Sequence, residues 1–247
     1  MFSPETIILI PARMASSRLP GKPLADIAGL PMIVQVMRRG LETGLGEVVV
    51  AAAEQEVVDA VQNAGGRAVL TDPDLPSGSD RIAAALEICD PDGTTEYVIN
   101  LQGDLPMIAS DAIAACHDAL ITSDADIATL VAPITDADEL TDPNVVKAMV
   151  RFAPGEPVAM AEDFARILPP GWDGGHFHHI GIYAYRRSAL MRFVSLPVSA
   201  RETAEKLEQL RALDAGMTIA AGCVDTIPSG VDTPADLEHA RKVLAAR

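Results

Sequence analysis

The sequence is poor in the features that define several large classes of protein. It has 4% aromatic residues, three cysteines, and 19 lysines and arginines against 35 aspartates and glutamates, a formal charge of −16. This acidic balance argues against binding to nucleic acid or an anionic membrane, which needs a broad basic surface. An odd number of scattered cysteines indicates reduced thiols, as in the cytoplasm, and not a disulfide framework. No apolar run reaches membrane-spanning length. Glu5 and the lack of a basic segment before it lead us to expect no signal peptide.

Two common phosphate-binding motifs are also missing. A Walker A loop needs a glycine and a hydroxyl residue at positions that Ser16 and Pro23 occupy here. The dinucleotide fingerprint Gly-x-Gly-x-x-Gly is absent because Gly21 is the only glycine of the first loop. If this loop binds a nucleotide, we expect it to use cationic side chains and its own backbone N–H groups.

That first loop is the most informative stretch of the chain. It carries Arg13, Arg18 and Lys22 without a carboxylate, and it follows an apolar run at 7–12 that predicts a buried strand. Ligands of open parallel sheets bind beyond the carboxyl ends of the strands. The alternative without a function is a solvated surface loop with scattered basic residues. If the loop binds a ligand, its three cations suit phosphate or carboxylate oxygens.

Alternating strand and helix patterns predict an α/β fold with a three-layer, mostly parallel sheet. The predicted strands are 7–12, 48–52, 68–70, 97–101 and 127–132, and the predicted helices are 31–41, 56–63, 79–88 and 111–121. From about residue 144 the pattern changes to a predicted hairpin of 145–152 with 156–161, then a strand at 179–185. An amphipathic helix at 204–213, a strand at 217–224 and a helix at 234–244 complete the prediction. Any domain boundary is expected near 133–144.

Two acidic residues follow predicted strands and are candidates for a metal site. Asp104 stands in Gln102-Gly103-Asp104, and Asp232 stands in Gly230-Val231-Asp232-Thr233-Pro234. Each by itself is explained as a turn or cap residue. As a pair at one sheet edge, they could hold Mg²⁺ on a triphosphate, since this ion takes one or two carboxylates plus phosphate oxygens.

Three other polar segments allow competing interpretations. Ser77-Gly78-Ser79-Asp80-Arg81 begins a helix, where Arg81 opposes the helix dipole unless an anionic ligand or water relieves the conflict. The run His176-Phe177-His178-His179 has no nearby cysteine, so we favour loop histidines plus one inward-facing group over a metal site. Glu208 and Gln209 read from the pattern alone as surface residues of a helix.

Taken together and in order, these segments resemble the 3-deoxy-manno-octulosonate (Kdo) cytidylyltransferase family. The resemblance spans about residues 7 to 241 and is carried by Ile10-Pro11-Ala12-Arg13, Ser17-Arg18-Leu19-Pro20-Gly21-Lys22-Pro23-Leu24, Ser77-Gly78-Ser79-Asp80-Arg81, Gln102-Gly103-Asp104, His179-Ile180-Gly181-Ile182-Tyr183, Leu207-Glu208-Gln209-Leu210-Arg211 and Gly230-Val231-Asp232-Thr233-Pro234. It implies a Rossmann-like nucleotidyltransferase domain over 1–247 with a small antiparallel insertion lobe at 145–215 for sugar binding and dimerisation. It also implies CTP and a sugar acid as substrates, Mg²⁺ as cofactor, the cytoplasm as location, and a homodimer that binds no nucleic acid or membrane.

The resemblance also implies a role for individual residues. Catalytic roles fall to Arg13, Lys22, Asp104 and Asp232, of which Asp104 and Asp232 would bind the metal. Nucleotide binding falls to Ala12, Arg13, Lys22, Ser77, Gly78, Arg81 and Gln102. Sugar binding falls to Gln102, Arg166, His179, Tyr183, Glu208 and Gln209. The implied reaction is attack of the anomeric hydroxyl of Kdo on the α-phosphorus of CTP, with release of pyrophosphate.

Three departures from the family pattern leave alternatives open. Leu105 stands where the family has glutamate, Ser79-Asp80 replaces Thr-Glu, and Phe164-Ala165-Arg166 replaces Phe-Ser-Arg before a short loop. The first could alter metal affinity or stoichiometry. One alternative is a cytidylyltransferase for a related sugar acid, sialic acid or 8-amino-Kdo. The other is a non-catalytic nucleotide-binding homologue, although retention of both Asp104 and Asp232 argues against it.

Overall fold

The computed structural model describes residues 5–16 and 18–245; Ser17, part of the cationic loop motif, lies outside this range. The strands are β1 (Thr6–Ala12), β2 (Asp26–Ile27), β3 (Leu30–Pro31), β4 (Glu47–Ala52), β5 (Arg67–Leu70), β6 (Tyr97–Asn100), β7 (Ile127–Pro133), β8 (Lys147–Val150), β9 (Val158–Ala165), β10 (Phe177–Arg186) and β11 (Ile219–Cys223). The α-helices are α1 (Met32–Glu42), α2 (Gln55–Asn63), α3 (Gly78–Cys89), α4 (Ser110–Ile121), α5 (Ala137–Thr141), α6 (Arg187–Ser195), α7 (Ala200–Glu205), α8 (Gln209–Asp214) and α9 (Pro234–Ala245). A short 3₁₀ helix spans Lys22–Leu24.

The chain divides into two compact units, at Ala114/Ala115 and again at Ile227/Pro228. The first unit contains four parallel strands in the order β5-β4-β1-β6. Their apolar runs are buried on both faces, as the zero exposure of Ile8, Leu9 and Ile10 shows. Parallel pairing brings the carboxyl ends of β1 and β6 to the same edge, so the loops that follow them are neighbours.

The last segment of the chain belongs to this first unit. Val231 and Leu237 pack in a buried cluster with Ile27 and Met32, which lie in and directly after the small hairpin of β2 and β3. Burial of this apolar surface holds α9 against the beginning of the chain. The turn that carries Asp232 is thereby fixed in the same unit as the cationic loop.

The second unit has a mixed sheet. Its strands follow the order β10-β7-β11-β9-β8, and a further β10–β8 pairing closes the set on itself. Only β11 and β7 run parallel, whereas the β10–β7, β11–β9, β8–β9 and β10–β8 pairs are antiparallel. The predicted α/β class is confirmed, but a mostly parallel sheet describes the first unit alone. The prediction of a mostly parallel sheet fails in the second unit because strands that are distant in the sequence pair there in antiparallel fashion, as β10 and β8 do.

The predicted hairpin is confirmed, because β8 and β9 pair in antiparallel fashion. The lobe expected at 145–215 lies inside the second unit, which begins earlier, at Ala115, and ends at Ile227. The unit is larger than the expected lobe because the parallel strands β7 and β11 belong to it.

The helix predicted at 204–213 is wrong as a single element. It is two short helices, α7 and α8, separated where Lys206 adopts a left-handed φ of 56°. The leucine spacing fitted one continuous helix, but the chain turns at Lys206, and Arg211 pairs back with Glu202 across the break. Among the described residues, none of these helices is long and apolar enough to cross a membrane.

Candidate functional site

One cavity of the first unit collects most residues that the sequence singled out. Its volume is about 380 Å³, and its described lining includes Ala12, Arg13, Lys22, Ser77, Gly78, Arg81, Gln102 and Asp104. These residues come from the end of β1 and the loop after it, the start of α3 and the turn after β6. The lining also holds Arg18, so four cations face one carboxylate in a chain whose net charge is −16. Such a cavity suits a polyanionic ligand.

The side chain of Lys22 joins the two candidate metal ligands. Its Nζ donates a hydrogen bond of 2.8 Å to Asp104 Oδ2 and one of 2.9 Å to Asp232 Oδ1. Burial alone would lower the pKa of Lys22, but Asp104 and then Asp232 outweigh it and raise this pKa above its usual value. The ammonium therefore stays charged at neutral pH, and the two carboxylates converge on one positive group.

Backbone contacts explain why the two acids meet. The N–H of Val231 donates to the carbonyl of Asp104 at 2.9 Å, so the two turns are tied directly. Asp236 Oδ2 accepts from the N–H groups of Asp232 and Thr233, which fixes the turn at the start of α9. On the other side, a Cβ on Gly103 would lie 2.7 Å from the carbonyl oxygen of Pro11. Only glycine permits this close approach of the turn to the end of β1.

The start of α3 places a buried cation beside the cavity. Arg81 Nη1 donates to Thr71 Oγ1 at 2.6 Å and to the Asp72 carbonyl at 2.9 Å. Burial lowers the pKa of Arg81, Glu54 opposes this, and the like charge of Arg13 adds to it. An anion between Arg81 and Arg13 would relieve their repulsion. Ser77 caps α3 through a 3.2 Å hydrogen bond from the Asp80 N–H.

The carboxylates fit a divalent ion that also binds phosphate. Among residues 5–16 and 18–245, no cluster of three or more His, Cys, Asp or Glu side chains could hold a metal by itself. Mg²⁺ usually takes one or two carboxylates, while phosphate oxygens and water complete its shell. Asp104 and Asp232 converge on one cation, so they suit such an ion. Asp104 and Asp232 would therefore be the protein ligands.

Leu105, which replaces the family glutamate, is buried at 8% exposure. Its Cδ2 lies 3.7 Å from the position of a Cβ built on Gly230. The side chain thus packs beside the segment that carries Asp232 and supports it by apolar contact.

The second unit gathers several predicted sugar-binding residues around β10. The rings of His179 and Tyr183 lie 5.6 Å apart, and the Phe164 ring contacts His179 edge-on at 5.0 Å. Burial lowers the pKa of His179 to about 3, and nearby His178 adds to the effect. Burial, with Tyr185 and Glu208, raises the pKa of Tyr183 well above 10.0. Both side chains are neutral at physiological pH. His178 instead pairs with Glu139 at 3.1 Å.

Glu208 and Gln209 mark the beginning of α8, which the Arg211 ion pair holds in place. Arg211 binds Glu202 in bidentate fashion, through hydrogen bonds of 2.8 and 2.6 Å, and its Nη2 lies 3.8 Å from Glu208 Oε1. The surface position expected for Gln209 is wrong: the residue is 6% exposed, and its Nε2 has no hydrogen-bond partner in the described part of the chain. A buried unsatisfied donor is costly, so it marks a place where a ligand acceptor is expected.

Arg166 is anchored to the backbone. Its Nε donates to the Glu205 carbonyl at 2.7 Å and its Nη1 to the Pro143 carbonyl at 2.8 Å. The Arg166 carbonyl in turn accepts from the fully buried Lys147, whose Nζ also binds the carbonyls of Asp142 and Val145. Among the described residues, none accepts a hydrogen bond from Arg166 Nη2, and the contact of Arg166 with a sugar carboxylate stays a prediction.

Two site residues had no predicted role. Arg18 was recognised only as a loop cation, yet its Nη2 pairs with Asp232 Oδ2 at 3.0 Å. Its position in the cationic loop was a usable signal. Thr129 bonds the His179 ring at 3.0 Å from the interior of β7. A single threonine in an apolar strand gave no signal in the sequence.

Comparison with known proteins identifies the family of the chain. A family model described as cytidylyltransferase matches residues 7–219. The chain is 59% identical to a 3-deoxy-manno-octulosonate cytidylyltransferase of Parvibaculum lavamentivorans, with 98% of this chain and 93% of the relative covered. It is 56% identical to the protein of that name from Paramagnetospirillum magneticum, with 97% and 98% covered.

A solved structure gives the same result. It is that of CMP:2-keto-3-deoxy-manno-octonic acid synthetase complexed with CTP, with a TM-score of 0.88, 40% identity, and coverage of 98% of this chain and 99% of that one. The chain belongs to the 3-deoxy-manno-octulosonate cytidylyltransferase family.

Proposed function

We propose that this protein transfers CMP from CTP to the anomeric hydroxyl of 3-deoxy-D-manno-octulosonate, giving CMP-Kdo and pyrophosphate for lipopolysaccharide synthesis. The observation that carries the proposal is the convergence of Asp104 and Asp232 on Lys22 at a cavity with three further cations. This charge pattern suits a nucleoside triphosphate with a divalent ion.

The residues of the first unit bind and neutralise the nucleotide. Arg13, Arg18 and Lys22 face the cavity and suit the triphosphate, while Ser77, Gly78 and Arg81 suit the nucleoside end. Transfer of a nucleotidyl group depends on positioning and on neutralising phosphate charge, so no protein nucleophile is required. Gln102 lines the same cavity and is proposed to contact both nucleotide and sugar.

Mg²⁺ is the proposed cofactor, bound by Asp104 and Asp232. When bound, it would supply Lewis-acid polarisation of the phosphate oxygens. The carboxylates are close enough to share one cation, which supports this role. Lys22 would then exchange part of its contact with the acids for the triphosphate.

The sugar acid is proposed to bind residues of the second unit. Neutral His179 and protonated Tyr183 offer hydrogen bonds to hydroxyl groups. Glu208 is an acceptor, Gln209 Nε2 is an unsatisfied buried donor, and Arg166 adds a positive charge for the sugar carboxylate. This set has both donors and acceptors, as a polyhydroxy acid needs.

We further propose a homodimer in the cytoplasm. The exposed apolar side chains Met160, Ile167 and Val198, at 44%, 56% and 63% exposure, supply surface that a second copy could cover. The described cysteines Cys89, Cys116 and Cys223 are free thiols, which fits a reducing compartment. Sedimentation equilibrium over a range of protein concentrations tests the dimer.

Pyrophosphate release with a panel of sugar acids tests the activity. Kdo, 8-amino-Kdo and sialic acid are each incubated with the protein, Mg²⁺ and one of CTP, UTP, ATP or GTP. We expect the highest kcat/KM for Kdo with CTP. A higher value for another sugar acid would replace the proposed acceptor. Calorimetric binding of CTP without product from any sugar would identify a nucleotide-binding homologue.

A further inference from the structure

A buried threonine hydroxyl lies at an irregularity of the second-unit sheet. The register between β10 and β7 shifts between Ile180 and Tyr183, so the carbonyls there lose regular ladder partners. Thr129, fully buried in β7, has its Oγ1 3.1 Å from the Ile180 carbonyl and 2.8 Å from the Ile182 carbonyl. The hydroxyl can therefore donate its hydrogen to a backbone oxygen at the bulge, where the Ile182 carbonyl also lies 3.9 Å from the weak donor Cys116 Sγ.

The same oxygen contacts the ring of His179. Thr129 Oγ1 lies 3.0 Å from His179 Nε2. A threonine hydroxyl has one hydrogen to donate, and a carbonyl oxygen can only accept. When that hydrogen is donated to one of the two carbonyls, at 3.1 or 2.8 Å, Oγ1 faces His179 with a lone pair. His179 Nε2 must then carry the hydrogen, which leaves Nδ1 as the unprotonated nitrogen.

The surroundings keep this ring neutral and oriented. Phe164 and Tyr183 contact it at centroid distances of 5.0 and 5.6 Å. The pKa of His179 lies near 3 because of burial, so a second proton does not bind at neutral pH. Among the described residues, none bonds Nδ1, and His179 is largely buried but keeps part of its surface exposed. One acceptor atom of the ring therefore remains for a ligand.

We propose that Thr129 is a positioning residue that holds His179 in the Nε2–H tautomer, so that Nδ1 accepts a hydrogen bond from a hydroxyl of the sugar acid. The inference rests on the proposed function for the identity of the ligand, but not for the tautomer. The Nε2–H tautomer makes His179 selective for a ligand group that donates a hydrogen bond. A sugar position that carries a carbonyl or carboxylate oxygen would meet a lone pair there and would be rejected.

The tautomer can be measured without any substrate. Long-range proton–nitrogen correlation spectra of protein labelled with ¹⁵N-histidine distinguish the two neutral forms. The chain has five histidines, and the spectrum of His179→Gln assigns the ring of interest. We expect protonated Nε2 and unprotonated Nδ1 in the wild type and in Thr129→Ser, which keeps the hydroxyl. Thr129→Val, which lacks it, should give a mixture or the Nδ1–H form.

Kinetics with Kdo and CTP provide the second measurement. We expect Thr129→Val to raise the KM for the sugar acid about fivefold to tenfold, the loss of about one neutral hydrogen bond, while the KM for CTP changes less than about twofold. Thr129→Ser should stay near the wild type in both. Mono-deoxy sugars sharpen the test, because the analogue without the bound hydroxyl should lose affinity for the wild type but not for Thr129→Val.

An Nδ1–H tautomer in the wild type would overturn the proposal, and so would an unchanged tautomer in Thr129→Val. Equal losses for the sugar acid and CTP would show a merely structural role. If Thr129→Val does not fold, Thr129→Ala removes the same hydroxyl and takes its place. If the wild type turns over no sugar acid, the proposed function fails, whereas the spectra still decide whether Thr129 sets the tautomer.

Discussion

Asp104 and Asp232, which belong to turns far apart in the sequence, accept hydrogen bonds of 2.8 and 2.9 Å from the same ammonium group, that of Lys22. Two carboxylates this close would repel each other without a cation. Lys22 balances their charge in the ligand-free protein, and a divalent ion is proposed to do so when the nucleotide binds.

Replacing Asp104 by Asn keeps the shape of the side chain and removes its charge. We expect CMP-Kdo formation to fall by at least about a hundredfold, because the proposed metal loses one of its two protein ligands. The circular dichroism spectrum and the melting temperature of the variant should stay near those of the wild type, since Lys22 keeps its hydrogen bond to Asp232. Glu56→Gln, an exposed position on α2, is the control. Near-normal turnover of Asp104→Asn would refute the metal role.

Replacing Lys22 by Met leaves Asp104 and Asp232 without their shared cation. We expect stronger binding of Mn²⁺ to the nucleotide-free protein, by about tenfold, because the ion no longer competes with the ammonium. Electron paramagnetic resonance titration with Mn²⁺ measures this directly. CTP binding should weaken at the same time. Unchanged or weaker Mn²⁺ binding would show that the two acids do not form the ion site.

Gln209 allows function and stability to be separated. Its buried Nε2 lacks a partner among the described residues, so Gln209→Met should stabilise the ligand-free protein by about 1 kcal/mol, or about 2–4 °C in melting temperature. The same change should raise the KM for the sugar acid and leave that for CTP unaltered. A lower melting temperature without any effect on the sugar KM would argue for a structural role.

Arg166 and Lys147 form a matched pair, since both bind backbone carbonyls of the second unit. We expect Arg166→Met to raise the KM for the sugar acid about tenfold or more, because it removes the charge proposed to pair with the sugar carboxylate. Lys147→Met should lower the melting temperature and change this KM much less. If both variants lose stability and neither changes the sugar KM, Arg166 is only an anchor.

Asp90 is expected to make folding stability depend on acid pH. Burial by itself would raise its pKa, but N–H groups of Thr95 and Thr94 at 2.8 and 2.9 Å, with the Thr94 hydroxyl, hold it well below its usual value. Because the pKa is depressed in the folded state, the stabilisation is complete above the unfolded value of about 3.9 and is lost as pH falls toward the folded value.

Substitution of Asp90 by Asn tests this account. We expect a loss of about 2 kcal/mol near neutral pH, because charged hydrogen bonds become neutral ones. The difference from the wild type should shrink as the pH falls below about 4. Urea unfolding at several pH values measures it, with the exposed Asp92→Asn as control. A difference that is the same at every pH would contradict the proposed linkage.

Much of the fold could be predicted from local pattern. The fully buried run of β1 and the alternation up to β7 are set by apolar periodicity, which is a property of neighbouring residues. Apolar periodicity also placed three polar segments beside the ends of predicted strands or helices: the cationic loop, the start of α3 and the turn with Asp104. Family motifs then linked these turns to one activity, and the cavity that they share agrees with that.

The break of the helix at Lys206 was not predicted, because the leucine spacing fits one helix and gives no sign of the left-handed residue or of Arg211 pairing back with Glu202. The β10–β8 pairing that closes the sheet of the second unit was not predicted either, because local sequence patterns do not specify which distant strands pair. The positioning role proposed for Thr129 could not be predicted from the sequence. It depends on the bulge in β10, which places two carbonyls and the His179 ring around the Thr129 hydroxyl.

By itself, the sequence determined the element types of the first unit, the residue types of the site and the family, because these depend on local order and composition. The tertiary structure alone decided that Asp104, Asp232 and Lys22 share one charge cluster and that the Thr129 hydroxyl contacts the His179 ring. Contacts of this kind join residues that are distant in the chain, and only the packing of the whole chain sets their distances and protonation.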